Sequence, residues 1–174
     1  VEGKIIGTAS SWKHSHLHKM GVNLCIDYNN ENVYEKIMTI TENRGVDLII
    51  DPVGGRNWKT SYKCLAPLGK MIVFGDQNFV KGKTFNFLAL IKEIFSMPKF
   101  RPMDLMSNNK SIMGYHLGRL AGAEDKIQKA TLNLQLLIKK NQIKPVIDKI
   151  FPFTQAPEAH TYIQDRKNFG KVLL

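Results

Sequence analysis

The amino-acid sequence predicts an α/β protein of the Rossmann type, with a mainly parallel sheet and helices on both of its faces. Two β-branched runs carry this prediction: Val46 to Ile50, which leads into Asp51-Pro-Val-Gly-Gly55, and the run inside Gly69-Lys-Met-Ile-Val-Phe-Gly75. Both are continuously apolar rather than alternating, which is typical of strands covered on both faces. A helix-compatible stretch separates them, and alternating strands and helices favour right-handed crossovers and parallel strands.

The first half of the chain contains four predicted strands with helices between them. Ser10 or Ser11 is placed to cap the first helix, and Asn30 or Asn32 to cap the second. Gly45 follows the second helix where a C-cap is expected. The strands are predicted over residues 4–9, 23–28, 47–51 and 71–74, with helices over 13–20, 32–44 and 58–65, the last one broken near Pro67 and Gly69.

The second half of the chain starts with a lapse in this regularity, between Phe79 and Lys110. Within it Phe85 to Phe95 forms an apolar stretch compatible with a helix, which Pro98 and Pro102 close. Beyond it the sequence predicts strands over 111–117, 146–151 and 171–174, and helices over 123–141 and 157–164.

The composition is that of an ordinary globular protein, with 43% hydrophobic and 23% charged residues in 174. No apolar run approaches the roughly 20 residues that cross a bilayer, and no signal-peptide pattern opens the chain. Cys25 and Cys64 stand in apolar surroundings, which favours reduced thiols over a disulfide. The net charge of +10 comes largely from lysines that are scattered along the chain. This pattern is most typical of solvated helix faces and, second, of attraction to a phosphorylated cofactor or an anionic surface. It argues against binding of nucleic acid.

Eight short phrases, taken together and in order, resemble a known family. They are Gly7-Thr-Ala-Ser10, Ile26-Asp-Tyr28, Gly45-Val-Asp47, Asp51-Pro-Val-Gly-Gly55, Leu65-Ala-Pro-Leu-Gly-Lys70, Gly114-Tyr-His-Leu117, Ile143-Lys-Pro145 and Asn168-Phe-Gly-Lys171. They are similar to the cofactor-binding half of the quinone-oxidoreductase group in the medium-chain dehydrogenase/reductase superfamily. The long segment before Asn108 and the phrase Gly-Tyr-His-Leu-Gly-Arg-Leu resemble most the branch of the synaptic vesicle membrane protein (vesicle amine transport protein) homologues.

The resemblance also implies what this chain lacks. In the family a GroES-like catalytic domain comes first, followed by a strand and a glycine-rich turn that receives the pyrophosphate at a helix N-terminus. We therefore expect an incomplete Rossmann-type sheet without its first, central strand, and a fragment of a longer protein. The expected division is a partial dinucleotide-binding domain over 1–145 and a C-terminal segment over 146–174 that would return to the missing catalytic domain.

The end of the first predicted strand is the expected place of the adenosine ribose. Ser10, Ser11 and Lys13 supply hydroxyl donors and a positive charge there, which suits the 2′-phosphate of NADPH better than the 2′-hydroxyl of NADH. The alternative is that one serine only caps a helix and that Lys13 is solvated.

Five further positions are candidate cofactor contacts: Gly54, Gly75, Asn78, Tyr115 and Asn168. The two glycines and Asn78 follow strands, where backbone without a Cβ can approach a ligand, although tight turns would look the same. The resemblance places Tyr115 near the nicotinamide and matches Asn168 to an amide that contacts the cofactor; a packed aromatic and a loop-capping asparagine are the alternatives.

One residue departs from the family pattern and one group of histidines invites a metal. Asp76 stands where a small or apolar residue is expected. His14, His16 and His18 share a helix segment, but no cysteine pair with ligand spacing accompanies them, so no metal is predicted. No catalytic residue is assigned.

The resemblance implies a zinc-free NADPH-dependent oxidoreductase that passes a hydride to a quinone-like or enone-like carbonyl of a small molecule. The alternative is a membrane-associated or vesicle-associated structural or regulatory protein that keeps the fold with little or no catalysis. Phe85 to Phe95 could border the substrate cleft, mediate homodimerisation or rest on a membrane surface, with burial as the simpler expectation. The expected location is cytoplasmic, with peripheral association with vesicle or organelle membranes left open.

Overall fold

The computed structural model of the chain describes residues 3–75, 91, 95 and 97–174. These form two compact units, Val1–His116 and Leu117–Leu174. Asp76, Asn78 and most of the apolar stretch Phe85 to Phe95 lie outside the described residues.

The first unit alternates strands and helices in the predicted order, which confirms the α/β, Rossmann-like fold class. A 3-10 turn at Ser11–Lys13 precedes the first helix. The strands are β1 (Ile6–Thr8), β2 (Leu24–Ile26), β3 (Val46–Asp51), β4 (Leu65–Val73) and β5 (Ser111–Gly114), and the helices are α1 (His14–Lys19), α2 (Val33–Ile40), α3 (Asn57–Cys64) and α4 (Pro102–Asn108).

Every strand pair in this unit is parallel, so the carboxyl ends of paired strands share one edge. Strand β1 pairs with β2, and β3 pairs with β4, which in turn pairs with β5. The strands thus form one two-stranded and one three-stranded sheet rather than one continuous sheet. Among the described residues, neither sheet pairs β1 or β2 with a strand of the β3–β4–β5 sheet.

The core of the first unit lies under strands β2 and β3. Ile26, Ile37 and Cys64 form a buried cluster against which Val46 and Ile49 pack. Helix α2 starts where the sequence predicts, because the Asn32 side chain accepts hydrogen bonds from the backbone N–H groups of the first turn. This cap fixes the orientation of the helix that delivers Ile37 to the core.

Three predicted boundaries are wrong by three residues or more, and one of them is the end of strand β5, which lies at Gly114 and not at Leu117. Helix α2 ends at Ile40 and not at Gly45, which instead enters β3 with φ 86° and packs tightly against α3: a Cβ there would lie 2.6 Å from the Cys64 carbonyl oxygen. Strand β4 starts at Leu65 and not at Met71, because a bulge absorbs the turn-forming residues after it. The backbone reaches φ 64° at Leu68 within that bulge.

Helix α4 is a further difference, since no helix was predicted between Pro98 and Ser111. Pro102 stands at its first position and Asp104 in its first turn, and Asn109 ends it in the left-handed conformation. Pro102, which the sequence predicts to close a helix, therefore opens one.

The second unit contains helix α5 (Glu124–Lys139), strand β6 (Ile147–Ile150), helix α6 (Ala156–Gln164) and strand β7 (Lys171–Leu173). Strands β6 and β7 form a parallel pair, with α6 as the crossover between them. The buried Phe151 and Ala159 lie beside this pair. The predicted domain boundary at residue 145 stays a prediction.

Candidate cofactor-binding site

A first cluster of polar side chains lies at the carboxyl ends of β1 and β2. The Ala9 N–H donates to the Ile26 carbonyl at 3.0 Å and so holds the two strand ends together. Immediately beyond, the Ser10 hydroxyl lies 3.2 Å from the Tyr28 hydroxyl, and the Asn29 side-chain amide donates to Ser10 Oγ at 3.2 Å. Two hydroxyls and one amide therefore meet at the predicted ribose position.

The buried carboxylate of Asp27 organises the turn that carries Tyr28 and Asn29. It accepts bonds from the Asn29 N–H at 3.0 Å, the Asn29 side-chain amide at 3.1 Å and the Asn30 amide at 2.8 Å. The Asn29 backbone bond, followed by bonds from Asn30, Asn29 and Ser11 side chains, holds the pKa of Asp27 below its usual range despite burial. Asp27 is therefore charged and saturated with protein donors at neutral pH.

The Ser10 side chain does not act as a helix cap, although Ser10 stands at an N-cap position. Ser10 is the N-cap of the 3-10 turn and Lys13 the N-cap of α1, and neither side chain makes a capping hydrogen bond. The Ser10 hydroxyl is used toward Tyr28 and Asn29 instead. The half-buried Lys13 follows Ser10 by three residues, and its ammonium lies 4.9 Å from the Trp12 ring centroid.

A second cluster lies at the carboxyl ends of β3, β4 and β5. In the strand register Asp51 pairs with Val73 and Val73 with Gly114, so the three strands end level with one another. Gly54 and Gly75 follow directly, and the Tyr115 N–H donates to the Val73 carbonyl at 2.8 Å. Three predicted contacts, Gly54, Gly75 and Tyr115, thus share one edge of one sheet.

The turn after β3 is built around the Asp51 carboxylate, which is 3% exposed. Its Oδ1 accepts the Val53 and Gly54 N–H groups at 2.8 and 3.3 Å. Its Oδ2 accepts the Asn57 amide at 2.9 Å and the Ser61 hydroxyl at 2.7 Å. Gly54 takes φ 79°, a conformation that glycine adopts without strain.

Strand β4 approaches this turn so closely that only glycine fits at its tip. A Cβ on Gly75 would lie 2.9 Å from the Pro52 carbonyl oxygen. The glycine therefore serves the packing of β4 against the β3 turn.

Two further predicted contacts lie outside the described residues of the first unit. Asn78 lies outside the described residues. Asn168 belongs to the second unit, where its side-chain amide donates to the Gly170 carbonyl at 2.9 Å, a bond that stabilises the turn before β7.

Three site residues are missed by sequence reasoning, namely Tyr28, Asn29 and Asp51 in its role as turn organiser. The signal for the first two is their place directly after β2, since adjacent parallel strands end at the same edge. If residues that follow the carboxyl end of every predicted strand are taken as candidates, Tyr28 and Asn29 are among them.

The comparisons with known proteins decide the family. A family model described as zinc-binding dehydrogenase matches residues 20–174. The chain belongs to this family. Membership confirms the resemblance to the cofactor-binding part of medium-chain dehydrogenases/reductases.

Individual relatives agree with this assignment. The human synaptic vesicle membrane protein VAT-1 homolog is 34% identical over 170 residues, which are 98% of this chain and 43% of that protein. The Pseudomonas aeruginosa quinone oxidoreductase is 29% identical over 173 residues, 98% of this chain and 48% of the relative. The crystal structure of human VAT-1 homolog-like protein superposes with a TM-score of 0.71 at 26% identity, covering 97% of this chain and 44% of the other. The chain spans less than half the length of each.

The described part of this zinc-binding dehydrogenase chain does not fit a zinc ion. His14 Nε2 lies 2.9 Å from the Ala9 carbonyl oxygen and His18 Nδ1 lies 2.8 Å from the Val22 carbonyl oxygen. Among residues 3–75, 91, 95 and 97–174, no three His, Cys, Asp or Glu side chains are grouped as metal ligands.

Of the helices in the same residues, none combines the length and apolar character that crossing a membrane requires.

Proposed function

We propose that the full-length protein is a zinc-free NADPH-dependent oxidoreductase that transfers a hydride to a quinone-like or enone-like carbonyl substrate. Family membership supports an oxidoreductase, and the name of the Pseudomonas aeruginosa relative supports the quinone-like substrate class. The observation that carries the cofactor choice is the pair of hydroxyls, Ser10 and Tyr28, 3.2 Å apart at the end of β1.

This donor set suits a phosphate rather than a ribose hydroxyl. A 2′-phosphate only accepts hydrogen bonds and carries negative charge, and Ser10, Tyr28 and Lys13 offer two hydroxyl protons and an ammonium group. No acidic residue ends β1, whereas binding of NADH favours a carboxylate there. The nearby Asp27 carboxylate is already saturated by Asn29 and Asn30.

The other predicted contacts are assigned to the rest of the dinucleotide. Gly54, Gly75 and Tyr115 stand at the edge of the β3–β5 sheet, where ligands of parallel sheets bind. Asn78 and Asn168 remain proposed contacts on the resemblance alone. In this assignment Ser11 acts through Asp27, whose pKa its hydroxyl helps to lower.

When bound, the nicotinamide supplies the hydride chemistry. The residues described here bind the phosphate, orient the ring through the strand tips and exclude water. No proton transfer is assigned to any of them.

Titration of NADPH fluorescence with the full-length protein tests the cofactor assignment. Lys13→Ala and Tyr28→Phe each remove one proposed phosphate contact, so NADPH affinity should fall by about tenfold while NADH affinity changes little. Ser107→Ala, an exposed serine on α4, is the matched control. Equal losses for both cofactors would contradict the phosphate assignment.

An assay of quinone reduction, in which the oxidation of NADPH is monitored, tests the activity. Steady-state turnover of a quinone or an enone is the expected result. Binding of NADPH without turnover, combined with sedimentation of the protein with liposomes, would instead support the membrane-associated alternative.

A further inference from the structure

The Asn29 side-chain amide connects two groups at the proposed phosphate site that do not touch each other. Its nitrogen lies 3.1 Å from Asp27 Oδ1 and 3.2 Å from Ser10 Oγ. Asp27 is buried and Ser10 is half-buried at the rim, so the amide links the interior of the β2 turn to the rim.

The charge on Asp27 fixes which end of the amide faces Ser10. A carboxylate only accepts hydrogen bonds, so the amide nitrogen and not the amide oxygen must point toward it. The same nitrogen reaches Ser10, and its second proton is the one donated to Ser10 Oγ. Asp27 keeps its charge because the donors around it lower its pKa.

The hydrogen bond from the Asn29 side-chain amide influences the direction in which the Ser10 hydroxyl donates its proton. Because Ser10 Oγ accepts from Asn29, the single hydroxyl proton of Ser10 is left for Tyr28 or for a ligand. The Tyr28 hydroxyl likewise has one proton. Both hydroxyls can then donate at once to a phosphate, which offers several acceptor oxygens and, as a dianion, no proton of its own.

We propose that Asn29 is a specificity-determining residue of this site: by donating to Ser10 Oγ it favours Ser10 as a donor, beside Tyr28, toward an acceptor-only dianion, the 2′-phosphate of the dinucleotide. The proposal rests on the proposed function, in which this site receives NADPH. Asn29 acts through Ser10 and is a positioning residue.

Asn29→Ala is the test in the full-length protein, with Asn30→Ala as the matched control. Asn30 donates to the other oxygen of the same carboxylate at 2.8 Å, and its side chain makes no hydrogen bond to the rim residues Ser10 and Tyr28. Asn29→Ala should lower the affinity for NADPH and for adenosine 2′,5′-bisphosphate by about tenfold, and the affinities for NADH and ADP should stay within about twofold of wild type. Asn30→Ala should leave the ratio of NADPH to NADH affinity unchanged.

A double-mutant cycle separates positioning from general support of the turn. If Asn29 acts through the Ser10 hydroxyl, Asn29→Ala costs little further NADPH affinity in a Ser10→Ala background. Additive losses, or equal losses for NADPH and NADH, would overturn the proposal. If the wild-type protein binds both cofactors equally, the NADPH assignment fails and this proposal with it; if it prefers NADPH and Asn29→Ala keeps that preference, only this proposal fails.

Discussion

The Ser61 hydroxyl on helix α3 donates to Oδ2 of Asp51 at 2.7 Å, ten residues back along the chain. The same oxygen accepts the Asn57 amide at 2.9 Å from one turn earlier on that helix. Because the other oxygen of Asp51 holds the backbone of the β3 turn, one buried carboxylate joins helix, strand and candidate site.

Ser61→Ala should therefore lower the free energy of unfolding by about 2 kcal/mol, the cost of removing a donor from a buried charge. Chemical denaturation followed by circular dichroism measures it. Ser107→Ala, on the exposed face of α4, is the control and should stay within about 0.5 kcal/mol of wild type. A loss for Ser61→Ala no larger than the control would show that Asn57 alone satisfies Oδ2 of Asp51.

The strands were predictable because their signal is local. The apolar run before Asp51 predicts a strand over 47–51, and β3 occupies Val46–Asp51. Helix α4 was not predictable in the same way, since Pro102 is equally consistent with a helix end and with a first helical position. The start of β4 depends on a bulge against β3, and the sequence of β4 alone does not show that pairing.

The candidate site shows the same division. Ser10 and Gly75 could be placed at strand ends from the sequence, since the carboxyl ends of parallel strands carry ligand sites. The bond between Asn29 and Ser10 spans 19 residues and exists because Thr8 pairs with Ile26 in the register of β1 and β2. Register between strands is a tertiary property, so the sequence did not reveal this contact.

Gly75→Ala tests the close approach of β4 to the β3 turn. The new Cβ would lie 2.9 Å from the Pro52 carbonyl, a backbone atom that cannot rotate away, so we expect a loss of about 1–3 kcal/mol in stability. Gly114→Ala at the tip of β5 is the matched control, because a Cβ there meets nothing within 4 Å. Thermal unfolding of both variants measures the difference, and equal melting temperatures would contradict the packing argument.

Cys64 should resist alkylation in the folded protein. The thiol is 1% exposed, and burial raises its pKa to about 11, an effect that the Lys110 charge only partly offsets. Only the thiolate reacts with iodoacetamide, so at pH 8.5 we expect modification of Cys64 in denaturant and little without it. Mass spectrometry of the peptide that contains Cys64 checks this; rapid labelling of the native protein would contradict the buried placement.

Acid should destabilise the first unit through the β2 turn. Lys36 is the main cause that lowers the pKa of Glu31, and the Asn29 backbone bond is the main cause that lowers the pKa of Asp27. Carboxyls with lowered folded-state pKa values contribute stability above their unfolded values, about 4.3 for Glu and about 3.9 for Asp, and lose it as the pH falls through the folded values. Unfolding free energy should therefore be level from pH 7 to about 5 and decline below that.

Glu31→Gln should flatten the upper part of that acid decline while leaving the part that belongs to Asp27. Lys36→Met should flatten much of the same upper part, because the Lys36 ammonium, 2.8 Å from Glu31 Oε1, is the main cause that lowers the pKa of Glu31, ahead of the Asp27 backbone bond. The pKa of Glu124 is also lowered, so this residue adds its own acid-dependent loss of stability to every profile. The pH profiles of the variants are therefore compared with that of the wild type. Urea denaturation at half-unit steps between pH 6 and pH 3 gives the profiles; superimposable curves for wild type and Glu31→Gln would show that the Glu31–Lys36 pair does not couple folding to pH.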